Sequence, residues 1–119
     1  MVNYKNYKVW QKSHSLVFEI YKVLQHLPKE EQFNLNSQIR RATISIPTNI
    51  AEGCGRETQK ELIRFLYISS GSAHELDYLI LVSSELKLIP MEKATILLNE
   101  IDQIKKMLAA LITKIKSSI

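Results

Sequence analysis

Three histidines, one cysteine and one carboxylate on an otherwise apolar helical face are the side chains of this 119-residue chain with the most chemistry to offer. His14 and His26 stand on or beside the first helical stretch among ordinary neighbours. His74 precedes Glu75 on the third, near its outer side, and lacks the second ligand at helical spacing that a metal would need. No Glu is followed three residues later by His, which removes the ligand pair of di-iron helical bundles. An HExxH zinc motif, a Gly-rich phosphate loop and a CxxC pair are also missing. Cys54 sits between two glycines near a helix end, where a thiolate could be perturbed, yet no base can be assigned to it, and it reads as a small residue in a turn. Glu75 lies between Ser72 and Leu79 on a face close to the core, and a carboxylate there needs a partner. Arg41 is the expected partner and Arg40 the second choice. Work as a general acid or base would require a pocket and a second catalytic group that the sequence does not display. The expectation is a protein with no catalytic residue, cofactor or metal, and not an enzyme.

The element that must position these groups is Gln38–Arg56, QIRRATISIPTNIAEGCGR. At 100° per residue Leu35, Ile39, Ala42, Ile46 and Ile50 form one core-facing stripe. Gln38, Arg41, Ser45, Asn49, Glu52 and Arg56 form a polar seam beside it. Pro47 removes the partner of the Thr43 carbonyl, so a kink is expected there, with Ser45 and Asn49 placed to satisfy freed backbone groups. The polar network expected around it is Arg41, Ser45, Asn49, Glu52, Ser72 and Glu75. Gly53 and Gly55 suit a left-handed helix end, and Thr58 with Glu61 reads as a capping box.

The flanking segments complete an all-α design. Residues 1–8 read as an extended or frayed arm anchored by Tyr4 and Tyr7. Helices are expected over about 9–27, 33–54, 58–87 and 91–117, with Pro28 closing the first and Pro90 opening the last. Serines, Gly71 and Ala73 make the middle of the third helix small enough for close approach of the helix carrying Pro47. Leu97, Ile101, Ile104, Leu108, Leu111 and Ile115 form a seam on the fourth. Short connections make this a single domain over 1–119, an up-down-up-down antiparallel four-helix bundle with a proline-kinked second helix.

The run RRA-x-x-SIP-x-NIAEG-x-GR followed by FLYISSGSAHELDYLI, together with Tyr7-Lys8-Val9-Trp10-Gln11-Lys12 and Pro28-Lys29-Glu30-Glu31, resembles the four-helix-bundle family of 23S rRNA intervening-sequence proteins over nearly the whole chain. A related branch comprises the accessory variability determinants of diversity-generating retroelements. Open reading frames inside rRNA gene insertions imply a nucleic-acid connection, and the resemblance carries over no catalytic residue. It also implies ring formation, with a pentamer as the stoichiometry.

Composition sets the remaining expectations. The lone cysteine cannot form an intramolecular disulfide, and neither a signal peptide nor an apolar run of bilayer length is read, so a cytoplasmic location away from membranes is expected. Net charge is +4, with nine Lys/Arg against five Asp/Glu in residues 1–60 and seven against seven afterwards, compatible with an anionic partner. Arg40, Arg41, Arg56, Lys60 and Arg64 are the candidate RNA or DNA contacts. A third stripe on the second helix, Ile44, Pro47 and Ala51 beside Arg40, is surplus to one bundle interior and marks a homo-oligomer interface. The reading is a non-enzymatic oligomeric scaffold that binds nucleic acid. The alternative is a protein-interaction module, an accessory subunit for a nucleic-acid enzyme such as a reverse transcriptase.

Overall fold

The computed structural model describes residues 2–119, with four helices: α1 (Lys8–Leu24), α2 (Leu35–Cys54), α3 (Gln59–Glu85) and α4 (Met91–Lys116). No strand occurs among the described residues. The helix limits follow local backbone chemistry. Leu27 precedes Pro28, whose ring disfavours the helical conformation in the residue before it. So α1 stops at Leu24, short of the expected Leu27, and tightens into bonds from the His26 and Leu27 N–H groups to the carbonyls of Val23 and Leu24. The N-terminal arm is not extended: Tyr4–Asn6 form a 3₁₀ turn capped by the Asn3 side chain, and Tyr4 and Tyr7 pack on the core from it.

Contacts between α2 and α3, and between α3 and α4, run in opposite sequence order, which makes these two pairs antiparallel. Between α2 and α3, Ser45 meets Ser72, Ile46 meets Ser69, and Gly53 approaches Phe65. Between α3 and α4, Tyr67 meets Lys116, Asp77 meets Lys105, and Ser84 meets Met91. α1 touches α4 through Lys12 and Glu100, and touches the start of α2 through the Leu24 carbonyl and Asn36. Ile20, Ile39, Ile46, Ile50, Leu66, Leu76, Ile80, Ile101, Ile104 and Leu108 are buried at the centre. The result is a rod of 46 × 23 × 19 Å.

α2 runs without interruption through Pro47. Of the two side chains expected to satisfy backbone groups freed there, Asn49 donates through Nδ2 to the Ser45 carbonyl at 2.8 Å, and Ser69 Oγ of α3 donates to the Ile46 carbonyl at 2.9 Å. Neither Gly53 nor Gly55 has a positive φ, which corrects the expected left-handed helix end. Gly53 provides space instead, since a Cβ there would lie 2.9 Å from the Phe65 Cβ and 3.3 Å from the Leu62 carbonyl oxygen. Among the described residues, the positive φ at a non-glycine position belongs to Lys87, at 62°. It closes α3 by the bonds Leu88 N–H to Ser83 carbonyl and Lys87 N–H to Ser84 carbonyl, the Schellman arrangement.

Candidate nucleic-acid interface

The polar seam between α2 and α3 is neutral. Ser72 Oγ donates to Ser45 Oγ at 2.8 Å, Asn49 Nδ2 reaches the same oxygen at 2.9 Å, and buried Ser69 bonds across to α2. Three of the six residues expected in the network lie outside it. Glu52 is exposed and pairs at 2.7 Å with Arg56, four residues on and just beyond the end of α2. Arg41 and Glu75 are both exposed and form no ion pair, so the buried bridge expected between them is corrected. The reason is angular. The buried stripe of α3 is Leu66, Ser69, Ala73, Leu76, Ile80 and Ser83, and Glu75 stands 100° from Leu76 on the outward side.

The third stripe of α2 also divides. Pro47 is buried and so is unavailable as an interface residue, Ala51 is half-buried, and Ile44 is 41% exposed. A proline ring at position 47 follows Ile46 by 100°, toward Thr43 rather than toward solvent, and Thr43 is itself fully buried.

All five candidate cations are exposed, but they fall into two groups. Arg40 and Arg41 lie near the middle of α2, where Arg40 stacks on the Tyr21 ring with its guanidinium 5.1 Å from the centroid. Arg56, Lys60 and Arg64 lie at the α2–α3 turn, about 20 Å further along the axis from Arg41 at 1.5 Å per residue. Arg56 sits over the Phe65 ring at 4.6 Å, and Arg64 pairs with Glu61 at 3.5 Å. Lys60 has no carboxylate partner. The same turn is built by the Thr58 cap, whose Oγ1 accepts the Glu61 N–H at 3.1 Å, while the Glu61 side chain turns to Arg64 and leaves the capping box half closed.

Folding adds cations to that turn that the sequence reading did not group with it. The start of α1, the end of α2, the start of α3 and the end of α4 converge there around a cleft of about 310 Å³ lined by Tyr7, Cys54, Arg56, Thr58, Leu62 and Ile115, among others. Taking residues 2–8, 52–64 and 113–119 as this end, it holds Lys5, Lys8, Arg56, Lys60, Arg64, Lys114 and Lys116 against Glu52, Glu57 and Glu61. Seven minus three is +4, the whole formal charge of the chain; the other nine cations and nine anions cancel. Lys116 donates to the hydroxyl of half-exposed Tyr67 and lies 4.9 Å from its ring centroid, an aromatic and a cation side by side at the rim.

The cleft is lined by one thiol and one phenol, Cys54 and Tyr7. Burial pushes the Cys54 thiol above its ordinary value, so the thiolate that a nucleophile requires is disfavoured at neutral pH. The Tyr7 phenol is also raised, first by burial and then by proximity to Cys54. His74 is exposed and holds the Ser70 carbonyl through Nδ1 at 2.8 Å, one turn back on its own helix. Among the described residues no group of three His, Cys, Asp or Glu side chains is placed to hold a metal, and no helix is long and apolar enough to cross a membrane.

The family model described as 23S rRNA-intervening sequence protein matches residues 5–110. Among solved structures, the chain is similar to a protein of unknown function from the S23 ribosomal protein family of Bacteroides thetaiotaomicron, with 26% identity and a TM-score of 0.82. The likeness covers 87% of this chain and 97% of that one. No curated protein matches it.

Proposed function

We propose, for a chain that belongs to the 23S rRNA-intervening sequence protein family, a role as a non-enzymatic homo-oligomeric scaffold that binds RNA through one end of its helical bundle. The observation that carries this reading is the charge of that end: seven cations against three carboxylates, with the remainder of the molecule balanced. Clustered Lys and Arg bind phosphates by releasing counterions, a gain that needs density of charge more than total charge. Of the original candidates, Arg56, Lys60 and Arg64 belong to this surface, with Lys5, Lys8, Lys114 and Lys116 joining them. Arg40 and Arg41 do not. Assembly into a ring, with a pentamer as the stoichiometry the resemblance implies, would bring several such ends together and multiply the local charge.

Titration of a fluorescently labelled single-stranded RNA by anisotropy over a range of salt concentrations tests the reading. Binding that weakens steeply with salt is expected. Absence of binding at low salt would refute it, and binding indifferent to salt would transfer the assignment to an apolar protein partner.

A further inference from the structure

Helix α3 carries a glycine for which its own protomer has no use. Gly71 is exposed in the middle of Gln59–Glu85, its φ is not positive, and a Cβ added to it would meet no atom within 4 Å. Glycine weakens a helix interior because it loses the most backbone freedom on folding, and nothing inside the bundle compensates for it here. Gly53 is the contrast, because there a Cβ would strike Phe65. One turn before Gly71 stand Tyr67 and Ile68, one turn after it His74 and Glu75, and Tyr78 follows on the same side. Tyr67, Ile68 and Tyr78 are 50%, 42% and 62% exposed. Gly71 is thus the floor of a notch with largely apolar walls, open to a second helix at short range.

Charge identifies the occupant. Between residues 65 and 76 of α3 the sole Asp, Glu, Lys or Arg is Glu75, and it has no ion-pair partner. Between residues 35 and 51 of α2 the only formally charged side chains are Arg40 and Arg41, and neither has a carboxylate partner. These arginines line a shallow groove of about 410 Å³ with Tyr21, Ile44 and Thr48. One face is notched and carries a carboxylate with no ion-pair partner; the other is grooved, partly apolar and carries two guanidinium groups with no carboxylate partner. We infer that the Gly71 face of one copy receives the Arg41–Ile44 face of α2 from a second copy, with Glu75 opposite the arginines. The two faces differ, so the contact is head-to-tail and repeats from copy to copy until it closes. This rests on the homo-oligomeric part of the proposed function and supplies its contact surface.

Light-scattering mass and circular dichroism of the full chain at micromolar concentration test it. The intact chain should weigh several times its 13.7 kDa protomer. Gly71→Leu fills the notch and should drop the mass to one protomer with helicity retained, because leucine is the better helix former and meets no neighbour within the copy. Glu75→Arg, an exposed position, should lower the mass in the same way and decides the matter if the leucine variant does not fold. Assemblies of unchanged mass in the folded variants would overturn the inference while leaving homo-oligomerisation standing. An intact chain that is monomeric would remove both.

Discussion

Neutralising Lys60 and Lys114 together is the sharpest perturbation of the basic end. Arg56 and Arg64 already face Glu52 and Glu61, and Lys116 is held by Tyr67. Lys5, Lys8, Lys60 and Lys114 therefore remain as the cations at this end with neither a carboxylate partner nor a side-chain hydrogen bond. Four phosphate contacts on a single strand give a log–log salt slope of about −3 per protomer, a fall in affinity of about fifty-fold between about 50 and 200 mM salt. Lys60→Ala with Lys114→Ala should halve that slope, leaving a fall of about sevenfold over the same range. Lys29→Ala with Lys93→Ala removes the same formal charge at the opposite end of the bundle and should leave the slope where it was. Anisotropy titrations of one labelled RNA at several salt concentrations read both variants. Lys60 and Lys114 are exposed and unpaired, so thermal melts should stay near the parent and exclude unfolding as the cause. An unchanged slope in the Lys60 and Lys114 variant, or an equal loss in the Lys29 and Lys93 variant, would refute the assignment of the end as the binding surface.

Three further outcomes follow from local geometry. Gly53→Ala forces a methyl against the Phe65 Cβ and the Leu62 backbone, so denaturant unfolding should show a loss of about 1–3 kcal/mol despite alanine's better helix propensity. Lys87→Gly relieves a left-handed lysine while keeping both backbone bonds of the α3 cap, and should raise stability by about 0.5–1 kcal/mol in the same assay. The Cys54 and Tyr7 groups are raised in the folded state, so the unfolded chain binds fewer protons once pH passes the ordinary thiol value of about 8.5 and then the phenol value of about 10. Stability should consequently be fullest below that range and decline as pH rises through it, and Tyr7→Phe should flatten the upper part of the decline in melts recorded against pH. An unchanged alkaline profile in Tyr7→Phe would remove Tyr7 from the account.

The helices were legible because apolar spacing and two prolines act through local rules. The stripe from Leu35 to Ile50 is buried as its periodicity requires, and Pro90 sits immediately before α4. What escaped is decided by tertiary contact. Gly53 invited a left-handed conformation by composition, but its use is the passage of α3, which becomes visible only when Phe65 lies against it. Lys87 takes the left-handed position because Leu88 and Ile89 must turn back onto the core, where Ile89 is almost fully buried, and no glycine or asparagine stands there to announce the turn.

The candidate site was legible only in part, because its charge is assembled from three segments remote in sequence. Divided along the chain, the positive excess belongs to the first sixty residues; divided by the folded molecule, it belongs to one end, with Lys114 and Lys116 brought beside Lys5, Lys8 and Lys60. The ion pair expected at the α2–α3 seam would have tied Arg41 to the stability of the core. Ser45, Asn49, Ser69 and Ser72 make that contact with neutral groups instead, so the seam requires no cation to balance a buried carboxylate. Neutral bonding in the seam releases the surface charges from a structural duty. Lys60 and Lys114 can then change the affinity for phosphate without changing the packing, while Arg41 and Glu75 remain free to meet another copy.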